Sequence, residues 1–332
     1  MKIIIDPHVH LFDLELGQYD WLKPEFPPQW LDKKHICKSY SDADLQQQTS
    51  FSIAGYVHIE AGFDNKNGHR ELTNVERRAS LPQRSIGFID ITLEPTEFVI
   101  ELDNQLRHRS AAGIRHILEV MDVIENSTEL YKHDAKSAKN LGITRLLENN
   151  NSFINLSVLE KRNGIFELQC DVNNRQLVLQ IFSFFQRLPN LQLVLNHAGF
   201  APPASDVNGQ PDSAFSDWKI NIQLLARLPT IAVKCSGFEM LQRGYEKTQI
   251  QAVLAHCIDV FSHANVMLAS NFPLCELALN YDLYWQRTFA VLEQMIAQGL
   301  LDAKHEKALY FDNAFRIYQF SQTNLSLTTD TS

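Results

Sequence analysis

His8 and His10 are separated by one residue and follow Pro7 directly. At the end of an extended segment, residues i and i+2 point to the same side. Two imidazoles placed this way can bind one divalent ion or grip one oxyanion. The same kind of residue recurs wherever an apolar run of the chain ends. His58 and Glu60 close residues 53–61, Arg115 and His116 lie in residues 113–118, and Asp171 follows residues 165–170. His197 stands in residues 191–199, Lys234 and Ser236 in residues 230–237, and Asn271 in residues 265–273. Three imidazoles, His8, His10 and His197, can hold a zinc ion with a position left open for water. An ion held so acidifies water and polarises a carbonyl. Arg115 offers a planar fork suited to a carboxylate or lactone oxygen, and Lys234 adds a second cation. For Arg115 the alternative is a structural ion pair. For His58 and His116 it is a hydrogen-bonded core histidine.

These side chains need a scaffold that gathers strand ends. Ile3-Ile4-Ile5 reads as a short buried strand, which Pro7, lacking an N–H, is expected to stop. Further apolar strands are expected at residues 53–61, 85–91, 113–118, 165–170, 191–199, 230–237 and 265–273. Helical stretches alternate with them: from Ser41 (with Asp44 three residues on), then 70–80, 95–109, 152–162, 175–188, 215–228, up to about 261, and 281–298. Eight βα repeats predict an α/β fold, a (β/α)8 TIM barrel whose parallel strands carry the active site at their carboxyl ends. Residues 119–151 read as an insertion after strand 4 over the barrel mouth, and residues 306–320 as a C-terminal capping helix. One domain is expected over residues 1–322, with a frayed tail at 323–332. An open doubly wound sheet is discounted, because no Gly-rich phosphate fingerprint follows the first strand. Aromatics in the loop after that strand, among them Tyr19, Trp21 and Trp30, are expected to cover the barrel mouth, with Trp21 a candidate for the substrate pocket.

Composition narrows the partners. The 332 residues are 45% hydrophobic and 21% charged, with a formal net charge of −9. That balance supplies a large core and no basic patch for nucleic acid. No apolar run reaches membrane-spanning length, and the first residues enter a strand without signal-peptide architecture. Five cysteines without close spacing argue against a zinc knuckle or a disulfide framework. A cytoplasmic protein with reduced thiols is expected, acting on a small molecule, with no membrane partner. A barrel of this size can pair as a homodimer.

Several segments also resemble a known family. Asp6-Pro7-His8-Val9-His10-Leu11-Phe12-Asp13, Val57-His58-Ile59-Glu60-Ala61, Gly113-Ile114-Arg115-His116, Asn196-His197-Ala198-Gly199, Val233-Lys234-Cys235-Ser236-Gly237 and Ser270-Asn271-Phe272-Pro273 resemble the amidohydrolase superfamily in its amidohydrolase-related branch. Within it, the chain is similar to fuconolactonase-like and pyrone-dicarboxylate-lactonase-like enzymes. The resemblance implies hydrolysis of a cyclic ester, with His8, His10 and His197 at the centre and a divalent metal, zinc foremost, that some members need and others do not. In that family the eighth strand ends in an acidic general base. Here the position is Asn271, and an amide cannot accept a proton at neutral pH. Glu60, Asp171 and Glu276 are the candidates to take over as base, and Asn271 is expected to position water. Two other readings stay open: a non-oxidative decarboxylase or hydratase of the same branch, and a ligand-binding barrel weakened in catalysis by Asn271.

Overall fold

Short, largely buried runs become the strands of a barrel in this computed structural model, which describes residues 1–47, 49–118, 146–205, 210 and 212–321. The strands are β1 (Ile3–Val9), β2 (Ser52–Ile59), β3 (Gln83–Phe88), β4 (Ala111–Arg115), β5 (Ile165–Leu168), β6 (Gln192–Leu195), β7 (Ile231–Cys235) and β8 (Val266–Leu268). Each pairs in parallel with the next, in chain order. The ring closes where Val9 bridges Phe272. There the Asn271 N–H donates to His8 O at 3.1 Å and the His10 N–H to Phe272 O at 2.7 Å. The fold is therefore the expected (β/α)8 barrel.

One local expectation fails. β1 does not stop at Pro7 but runs on to Val9. Its register with β2 shifts between Asp6 and Val9, because Pro7 has no donor for the ladder. The buried Asp6 carboxylate fills in for the missing ladder partners. It accepts the N–H groups of His8 at 3.2 Å and Ser270 at 3.1 Å, and the Tyr281 hydroxyl at 3.0 Å. A side chain thus ties β1 to the far end of the ring at the point where the histidines begin.

Helices cover the outside and begin where polar side chains can cap them. Asn174 accepts from Leu177 N–H, Asp212 from Ala214 N–H and Asn280 from Leu283 N–H. Their inward faces bury Trp218 and Trp285 completely. The last segment is not one continuous helix. It passes through a 3-10 turn (Ala303–His305), a π turn (Ala308–Asp312) and a short helix (Asn313–Ile317). Asn313 anchors it by donating to His263 O at 2.7 Å and Val266 O at 2.8 Å, bonds that the apolar periodicity of the segment does not encode. Residues 119–145 of the expected insertion, and the expected tail, lie outside the described residues. Among the described residues no helix is long and apolar enough to cross a membrane.

Candidate active site

The histidine pair of β1 comes together as its spacing requires. His8 Nε2 and His10 Nε2 are 3.1 Å apart, and both side chains are buried. His10 Nδ1 lies 2.9 Å from the Ile59 carbonyl, which can only accept. The His10 proton is therefore on Nδ1, and Nε2 presents a lone pair. The close Nε2–Nε2 approach is then either an N–H···N bond donated by His8 or two lone pairs facing one cation.

His197 arrives from the end of β6. Its ring centre is 4.6 Å from that of His8, and its Nδ1 is 2.9 Å from Ser236 Oγ at the end of β7. The backbone there is unusual: His197 and Ala198 adopt φ of 54° and 48°, a left-handed conformation that most residues avoid. It swings the imidazole toward β7. Gly237 makes room, since a Cβ at that position would lie 2.6 Å from His197 Nδ1.

Two cationic side chains lie beneath and beside this group. Lys234 is fully buried, 2.8 Å from both oxygens of Glu167, with His8 Nδ1 at 3.4 Å. β1, β5 and β7 are not neighbours in the sheet, so this chain of contacts crosses the barrel interior. Tyr318 also donates to Glu167. Burial outweighs the attraction of Glu167 and brings the Lys234 ammonium down to about 8. Arg115 gives Nε to Glu60 Oε1 at 2.7 Å, Nη2 to Glu60 O at 2.7 Å and Nη1 to Gln169 Oε1 at 2.8 Å. Burial first, and then the charges of Lys234 and Arg115, hold His8 and His197 well below the usual imidazole range. His10 is lowered the same way, by burial and then Arg115. The three rings are neutral at pH 7, with positive charge around them.

Partners within the fold engage the other candidate side chains as well. Arg115 is engaged through Nε, Nη1 and Nη2 by Glu60 and Gln169, and Lys234 by both oxygens of Glu167, so each expected substrate cation already has partners inside the protein. Glu60, the expected substitute base, is held by Arg115 through Oε1 and its main-chain carbonyl. His58 is consumed on both nitrogens. Its Nε2 faces Glu71 Oε1 at 3.1 Å, and its Nδ1 accepts from Leu11 N–H at 3.3 Å. His116 accepts from Ile91 N–H at 3.2 Å and packs edge-on to Phe88. Trp21 donates to Ala61 O at 2.8 Å. Its loop is stapled by Lys33, whose ammonium donates to the carbonyls of Trp21, Lys23 and Phe26 at 3.0, 2.8 and 2.8 Å. Asp171 accepts from Asn173, and Glu276 from the Tyr40 hydroxyl at 3.3 Å.

The carboxylate that meets Asn271 was not anticipated. Glu239 follows β7 and is completely buried. Its Oε1 accepts from Asn271 Nδ2 at 2.6 Å. Its Oε2 and Asn271 Oδ1 are buried without a hydrogen-bond partner among the described residues. Burial, only partly offset by the Asn271 bond, raises the Glu239 carboxyl to about 7. Its sequence setting, Phe238-Glu239-Met240-Leu241, gives one weak signal, a lone carboxylate in an apolar run just past a strand end.

Among the described residues no three His, Cys, Asp or Glu side chains converge as a complete metal-binding set. The donors themselves suit a divalent ion. They are neutral imidazoles, and two of them, His10 and His197, have Nδ1 engaged elsewhere so that Nε2 is left to coordinate. The separation of His8 Nε2 and His10 Nε2 matches two ligand atoms each about 2 Å from a shared ion.

Comparison with known proteins adds the following. The model of a family described as amidohydrolase matches residues 5–320. An uncharacterised protein of Sinorhizobium fredii is 27% identical over 321 residues, covering 95% of this chain and 98% of its own length. L-fucono-1,5-lactonase of Burkholderia multivorans is 29% identical over 157 residues, 42% of this chain and 51% of the lactonase. The L-fucono-1,5-lactonase of Burkholderia ambifaria is 22% identical over 288 residues, 86% of this chain and 85% of its own. Among solved structures, an amidohydrolase from Burkholderia multivorans with bound zinc superposes with a TM-score of 0.71 at 20% identity, covering 96% of this chain and all of the other.

Proposed function

The chain belongs to the amidohydrolase family, and on that premise we propose that it hydrolyses a small lactone, a sugar-acid or carboxylated cyclic ester, at the carboxyl end of the barrel. In this reaction water adds to the carbonyl carbon and the ring C–O bond breaks. The two water protons end on the new hydroxyl and carboxyl groups. The observation that carries the reading is the cluster of three buried, neutral imidazoles, His8, His10 and His197, set in the positive field of Arg115 and Lys234. Such a site favours negative charge as it develops on a carbonyl oxygen. The lactonases among the relatives support the substrate class.

A divalent cation, zinc by the preference of imidazole, would be held by His8, His10 and His197. When bound it supplies a Lewis acid for the carbonyl oxygen. The chain's own residues keep the three rings neutral, orient them through Ile59 O and Ser236 Oγ, and exclude bulk water from the layer below.

The test is turnover of a panel of aldonolactones, L-fucono-1,5-lactone included, by the purified protein, with carbon dioxide release from carboxylated aromatics measured in parallel. Ring opening without carbon dioxide release is expected. Carbon dioxide release with no lactone opened would move the assignment to a decarboxylase. Binding without turnover of either kind would make the barrel a ligand binder.

A further inference from the structure

We propose that Glu239 and Asn271 together replace the carboxylate that strand eight lacks, Glu239 fixing the Asn271 side chain so that its amide oxygen, not its NH2, is offered to the attacking water. The inference rests on the hydrolase reading above and deepens it. A side-chain amide has a donor end and an acceptor end, and nothing intrinsic decides which faces the site. A carboxylate can only accept, so it selects the NH2 end. Glu239 Oε1 takes Asn271 Nδ2 at 2.6 Å, with both residues fully buried.

The opposite end, Oδ1, is then left as a buried acceptor with no partner among the described residues. Buried acceptors in folded proteins are nearly always satisfied, so one left without a donor among the described residues is available to a donor carried by a bound molecule. Water, or a hydroxyl of the substrate, is that donor.

Backbone contacts put the pair where this matters. Asn271 adopts φ 61°, and its N–H is bonded to the carbonyl of His8. Glu239 follows Ser236, which holds His197, by three residues. The pair therefore links the loops after β7 and β8, each already tied to a site histidine. An amide oxygen orients the water it accepts from and takes no proton from it. Asn271 is accordingly a positioning residue, and Glu239 acts through it.

The groups around the Glu239 carboxyl are Arg243, Tyr245, Cys275 and Tyr284. Arg243 donates to the Glu239 carbonyl and spends Nε and Nη2 on Asp32. None of these groups hydrogen-bonds the carboxyl, so its protonation reports on the Asn271 contact. It titrates near 7.

Two measurements test this. The first follows the Asn271 side-chain NH2 resonance in asparagine-labelled protein, assigned by its loss in Asn271→Asp, from pH 5 to 9. It should move with a midpoint near 7 in wild type, and the movement should vanish in Glu239→Gln. The second takes kcat and KM on whichever aldonolactone the wild type opens. Glu239→Gln presents an amide that can meet either end of Asn271 and so no longer selects the NH2 end; it should lower kcat about tenfold, roughly one orienting hydrogen bond, and leave KM within about twofold. Asn271→Asp alone buries two facing carboxylates and should be impaired above pH 7. The exchanged pair Glu239→Gln/Asn271→Asp should recover most of the activity. A resonance that does not titrate, or Glu239→Gln with wild-type kcat, overturns the inference. A wild type that opens no lactone overturns the hydrolase reading, and the resonance still decides the pair.

Discussion

At position 271 one atom separates a base from a positioning group: an amide nitrogen stands where the family's chemistry calls for a carboxylate oxygen. The consequence falls on Glu239, which must bury its carboxyl to reach that nitrogen. The folded protein holds the Glu239 proton up to about pH 7, against 4.5 for an ordinary glutamate. Between those two values the native state binds more protons than the unfolded chain, so stability is lost as pH rises through this window. At 1.36 kcal/mol per pKa unit, the loss amounts to about 3 kcal/mol by pH 8. Glu239→Gln removes it. Urea unfolding should therefore show the variant gaining on wild type between pH 5 and pH 8, and a constant difference across that range would contradict the burial argument. The three histidines were legible because their type is rare and their spacing places them at strand ends. Glu239 was not, because its partner lies 32 positions away and only the folded chain brings the two together.

At the scale of elements, loops after strands aim the chemistry and small residues make that aim achievable. Gly237 adopts φ +70° and lies against the His197 ring. Gly237→Ala should push the imidazole off Ser236 and cost activity on the order of 100-fold, since misplacements near 1 Å carry such penalties. Circular dichroism would show the barrel intact. Wild-type turnover in this variant would mean that the His197–Ser236 contact is dispensable. The eight strands could be read from apolar runs because a parallel barrel buries both faces of each strand. Their ends were less legible. β1 passes Pro7 only because Asp6 supplies acceptors in place of the ladder, an arrangement that depends on Ser270 and Tyr281, far along the chain. The last helix broke for a similar reason: its anchoring bonds from Asn313 to His263 and Val266 are tertiary.

At the scale of the whole molecule, the ionic layer across the barrel joins stability to function. Lys234, Glu167 and Tyr318 bring together β7, β5 and the C-terminal segment beneath the histidines. Lys234→Met would strand Glu167 in the core, and removing one partner of a buried pair costs about 3–5 kcal/mol. Lys234→Met/Glu167→Leu should recover most of that stability, measured by denaturant unfolding, but not activity, because the positive field around His8 is gone. Full activity in the double variant would mean the field contributes nothing to the reaction. The sequence showed Lys234 at a strand end and suggested a substrate contact. Its buried partner Glu167 lies inside an apolar strand and drew no notice, so the ion pair was not legible.

The central claim is that lactone opening occurs at the three-histidine cluster. Its most direct test is kcat/KM for the best aldonolactone in wild type and in His197→Ala. Among the described residues the His197 side chain makes one hydrogen bond, to Ser236, so its removal should leave the fold standing. A fall of about 100-fold or more is expected for a group acting on the developing charge. Undiminished kcat/KM in a folded His197→Ala protein would place the chemistry elsewhere and contradict the account.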